Sequence, residues 1–133
     1  MNVVDLEGVG PSYGAKLEAL GVKTTDHLLE RGATPKGRQD LEAASGISHT
    51  LILKWINRAD LYRIKGIGSE YSDLLEIAGV DTVPELAQRN PANLCETLAE
   101  ANAARNLVRK LPTVEQVTGW VDQAKKLPRV VTY

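Results

Sequence analysis

Apolar residues along this chain recur three and four positions apart, the spacing that lines one face of an α-helix, and strand-like alternation is missing. Leu17 and Leu20 share such a face with Gly21 as a stop, and Leu74, Leu75 and Ala78 followed by Gly79 repeat the arrangement. Ser48 can cap a helix that carries Leu51, Ile52, Trp55, Ile56 and Ala59. Thr113 and Gln116 form a capping-box pattern ahead of Val114, Val117, Trp120, Val121 and Ala124. Thr34-Pro35 and Asn90-Pro91 each put a capping side chain before a proline at the first helical position. Only Val130-Val131 has strand character, in a tail that either frays or packs back on the body. The pattern predicts an all-α fold with both tryptophans in core-facing stripes.

The helical pattern repeats. Leu6 to Leu28 matches Ile64 to Leu86 at a constant offset of 58 residues, pairing Gly8 with Gly66, Gly10 with Gly68, Tyr13 with Tyr71, Gly21 with Gly79 and Thr24 with Thr82. Each half ends in a tryptophan-bearing helix, so residues 1–60 and 61–127 read as two copies of one unit, with 128–133 as a tail. A single such copy would be marginal alone, which favours one compact assembly of the two.

Each copy contains a Gly-apolar-Gly turn. In Leu6-Glu7-Gly8-Val9-Gly10 and Ile64-Lys65-Gly66-Ile67-Gly68 the glycines permit a sharp turn with positive φ, and Val9 or Ile67 can plug it into the core. Gly14 and Ser72 supply the small side chains that close helix packing needs. No strand precedes either turn and no third glycine follows, which excludes a dinucleotide-binding fingerprint. These residues resemble the helix-hairpin-helix pattern. The resemblance implies two tandem helix-hairpin-helix repeats (SAM-like helical bundles) packed as one compact unit, whose turn amides and helix N-termini hold a nucleic-acid phosphate without reading bases. Gly32 to Arg38, Arg58 to Gly68 and Leu86 to Pro91 extend the likeness to an uncharacterised prokaryotic family of small stand-alone tandem helix-hairpin-helix proteins.

Charge decides which turn is the better candidate. The net charge is −1, but residues 54–65 sum to +3, residues 66–104 to −6 and residues 105–133 to +4. Asp5 and Glu7 flank the first turn, and Pro11-Ser12 stands where DNA-binding hairpins often carry a cation. Arg58, Arg63 and Lys65 lead into the second, although Glu70 in the following first helical turn repels a phosphate. The candidate set is therefore Arg58, Arg63, Lys65, Gly66, Ile67, Gly68 and Ser69, with Gly8, Val9 and Gly10 as a weaker counterpart.

Other chemistry has little support. His27 and His49 have no catalytic or metal-ligand spacing around them, and Cys95, the only cysteine, excludes an internal disulfide and suggests a small buried side chain. Glu70, Asp73, Glu76, Asp81 and Glu85 read as a solvated face without a calcium-loop pattern. The expectation is a non-enzymatic, cofactor-free, cytoplasmic module with no signal peptide or membrane span, binding DNA or RNA backbone. The alternative is a protein-interaction module that kept the fold and lost the basic surface.

Overall fold

The computed structural model describes residues 1–133, and its regular structure is helical throughout. A 3-10 turn (Val3–Asp5) precedes α1 (Gly10–Ala19), α2 (Thr25–Gly32), α3 (Pro35–Ser45) and α4 (His49–Leu61). There follow α5 (Ser69–Ile77), α6 (Val83–Ala87), α7 (Pro91–Arg105) and α8 (Val114–Lys126). The only β contact is an isolated bridge between Asn2 and Thr24. No helix is long and apolar enough to cross a membrane.

Local chemistry sets the helix ends. Thr34 Oγ1 accepts from the Gly37 amide, Asn90 Oδ1 from the Asn93 amide and Ser48 Oγ from the Leu51 amide, each satisfying a donor that lacks a partner inside its helix. Thr113 and Gln116 complete a reciprocal capping box on α8. At the ends of α1 and α5, Val22 donates back to Leu17 O and Val80 to Leu75 O, across Gly21 and Gly79.

The chain divides into two compact units, Met1–Asp60 together with Val130–Tyr133, and Leu61–Arg129. In the first, Leu6, Leu17, Leu28, Leu41, Ile52 and Trp55 are all buried. Gly14 lets α1 close on the 3-10 turn, since a Cβ there would stand 3.0 Å from Val4 Cγ2. The tail packs back rather than fraying. Val131 is buried, the Thr132 amide donates to Ala33 O at 2.8 Å, and Tyr133 Oη donates to Asn57 at 2.6 Å. Beneath it Arg38, only 3% exposed, donates to Gly32 O, Ala33 O and Thr132 O, with the Tyr133 ring 5.4 Å over its guanidinium. Burial lowers the Arg38 pKa, and three carbonyl acceptors offset part of that desolvation.

The second unit is organised around Leu74, Leu75, Leu86, Leu94, Val117 and Trp120, with Cys95 half-buried against them. Its first glycine, Gly66, has φ +96° and lies against the indole, where a Cβ would sit 3.0 Å from Trp120 Nε1. The first unit repeats this: Gly8 has φ +89°, and a Cβ there would meet Trp55 Nε1 at 3.4 Å. Tyr71 and Tyr13 close the other side of each indole at 5.2 Å between ring centroids, in tilted and edge-on contacts.

Three consequences for stability can be measured. Gly66→Ala should destabilise the chain by at least about 1 kcal/mol in urea unfolding, because both φ and the indole oppose a methyl group. Gly119→Ala, inside α8 with open space around its Cβ, should stabilise it by up to about 1 kcal/mol. Burial, then Glu85 and Glu76, hold the Asp81 carboxyl above its usual range. The folded state therefore binds that proton more tightly than the unfolded chain, and the charged carboxylate opposes folding at neutral pH. Asp81→Asn should raise the melting midpoint at neutral pH, an advantage that vanishes below the ordinary aspartate range, at about pH 3.

Candidate functional site

The second glycine turn is tightly held. Ile64 and Ile67 are buried, and the Ile67 amide donates to Ile64 O at 3.3 Å. Gln123 of α8 grips the backbone before the turn with both ends of its amide: Lys65 N donates to Oε1 at 2.9 Å, and Nε2 donates to Lys65 O at 3.2 Å. Gly68 caps α5 in an extended conformation without a side chain, and the first bond inside the helix runs from the Ser72 amide to Gly68 O at 2.9 Å. The amides of Ser69, Glu70 and Tyr71 thus lie at the positive end of α5, ahead of its first internal hydrogen bond.

The same three residues border a shallow groove of about 410 Å³ lined by Gly66, Gly68, Ser69, Glu70, Tyr71, Arg109 and Lys110. The two cations come from the α7–α8 connection, which is fixed at several points. Asn106 ends α7 in the left-handed region, and the Asn102 side chain donates to Val108 O and accepts from Val108 N. Tyr71 Oη donates to Lys110 O at 3.1 Å. Arg109 and Lys110 are exposed. Glu70, also exposed, is the one acidic residue of the lining.

Of the residues expected from the sequence, Gly66, Gly68 and Ser69 line the groove and exposed Lys65 borders it in sequence. Arg63 is half-buried and donates from Nη2 to Pro128 O at 2.7 Å. Arg58 does not join them: it is 6% exposed, in the first unit, with Nη1 3.5 Å from the Glu7 carboxylate. It stands three residues after Trp55, as Gln123 stands three after Trp120, and steadies the first turn by an ion pair. Ile67 serves as a core plug with its amide used internally, and Val9 does likewise, its amide donating to Leu6 O at 3.1 Å. The positive φ expected of both glycines holds for Gly8, Gly10 and Gly66, whereas Gly68 has φ −107°.

The first turn is a poorer anion cradle. Pro11 in the first turn of α1 has no N–H, and Asp5 and Glu7 are exposed beside it. Lys16 lies 5.8 Å over the Tyr13 ring, and Arg58 is engaged with the Glu7 carboxylate. Sequence reading missed Arg109 and Lys110; the only signal for them was the positive sum of residues 105–133.

Residues 7–127 match the family described as Domain of unknown function (DUF4332). The chain belongs to that family. The DUF4332 match spans both glycine turns, Arg109, Lys110 and α8, and stops short of the Val130–Tyr133 tail. Neither the curated proteins nor the solved structures hold a significant match.

Gln123→Ala removes both hydrogen bonds to Lys65. It should lower stability by about 1 kcal/mol, because water replaces the lost partners at this exposed position. Amide exchange at Lys65 should accelerate in the variant while that of Leu75, in the core, follows only the global change.

Proposed function

We propose that this protein is a non-catalytic module that holds the sugar-phosphate backbone of nucleic acid, without reading its sequence, through a helix-hairpin-helix-type turn at Ile64–Gly68. The observation that carries this reading is the convergence on one groove of the α5 N-terminal amides with Arg109 and Lys110. Amides and a helix dipole favour an anion, and two flexible cations add charge without base specificity. Glu70 opposes this by one charge, which Arg109 and Lys110 outweigh. Both tyrosines beside the turn are engaged, Tyr71 packing on Trp120 and donating to Lys110 O, and Tyr62 donating to Ser69 Oγ at 3.2 Å, which favours a backbone contact over base stacking.

The second reading is a protein-interaction module. The acidic surroundings of the first turn, with Asp5 and Glu7 exposed, favour it for the first unit.

Fluorescence anisotropy with labelled duplex DNA, single-stranded DNA and duplex RNA tests the proposal at low and moderate salt. Binding that weakens steeply with salt is expected, with a log–log slope shallower by about 2 in Arg109→Glu/Lys110→Glu. Absence of binding to all three probes at low salt would overturn the nucleic-acid reading and leave the interaction module in its place.

A further inference from the structure

We infer that the C-terminal end of α8 carries a second phosphate contact, so that the second turn takes a polymer of phosphates rather than a single phosphate group. This rests on the nucleic-acid reading above. Gln123 fixes the register of α8 against the turn, since both ends of its amide bond Lys65. A residue three positions later lies on the same strip of a helix, one turn further on, and that residue is Lys126. The helix then ends. Leu127 packs on the core, and Pro128 O accepts from Arg63 Nη2 at 2.7 Å. Arg63, Lys65, Lys126 and Arg129 are thereby gathered on the approach to the turn, the last three exposed.

Arg109 and Lys110 precede α8 in the chain, and their groove adjoins that helix at Trp120, against which Gly66 and Tyr71 both lie. Lys126 lies six residues beyond Trp120, roughly 9 Å along the helix axis, whereas a phosphate oxygen must lie within about 3 Å of its donor, so the two clusters suit successive phosphates of a backbone. A duplex offers phosphate charges continuously over such a distance. The acidic residue on the last two turns of α8 is Asp122, exposed and one turn before Lys126.

The test uses the full chain, a labelled 20-base-pair duplex and a salt titration, with inorganic phosphate as competitor. Lys126→Glu/Arg129→Glu should weaken binding and make the salt slope shallower by about 2, on top of the effect of Arg109→Glu/Lys110→Glu. Asp122→Lys should bind more tightly with a slope steeper by about 1, a gain that misfolding cannot produce. Phosphate should displace the duplex only as any salt of equal ionic strength does. Wild-type affinity and slope in Lys126→Glu/Arg129→Glu, with Arg109→Glu/Lys110→Glu still impaired, would overturn the second contact and leave the first. A wild-type chain that binds no duplex at all would overturn both.

Discussion

The fit of a glycine Cα against an indole edge is the constraint on which each unit depends. At Gly66 and at Gly8 a positive φ turns the chain between its flanking helical segments, and the missing side chain leaves room for Trp120 or Trp55. Any other residue would strain the backbone at both turns, and at Gly66 it would also press on the indole. The indole in turn seats the tyrosine of the next helix, so the turn, the helix that follows it and the tryptophan helix are positioned together. In the second unit this extends outward, because Tyr71 also holds the loop that carries Arg109 and Lys110.

On this shared frame the two copies have diverged in charge. Asp5 and Glu7 occupy the positions that Arg63 and Lys65 occupy 58 residues later. The residue three positions past each tryptophan still braces its turn, but by different chemistry: Arg58 meets the Glu7 carboxylate, and Gln123 meets the Lys65 backbone. A backbone brace leaves the Lys65 side chain unclaimed, whereas an ion pair uses up the side chain at position 7. Charge could therefore change at the second turn without loss of the brace.

Net charge is a weak guide to such a molecule. The value of −1 averages the acidic segment 66–104 over the basic segments 54–65 and 105–133, and folding brings the second basic segment to the turn that the first approaches. Since interactions between exposed charges fade over a Debye length of about 8 to 10 Å, the field at a ligand depends on the few groups lining the groove.

The sequence by itself determined the helical class, the caps at Thr34, Ser48, Asn90 and Thr113, the buried tryptophans and the position of both turns. Each depends on side chains within one helical turn of one another or on a repeated apolar stripe, as Thr113 with Gln116 and the stripe through Trp120 illustrate. Only the tertiary structure decided which cations line the groove at the second turn. Arg58, close in sequence, is turned into the first unit by Glu7, while Arg109 and Lys110, some 40 residues away, are drawn in by a hydrogen bond from Tyr71. It also decided the conformation of Gly68 and the docking of the tail on Arg38. Spacing along the chain carries local hydrogen bonding and periodic burial, but it cannot say which surface a distant loop will meet once the core has closed.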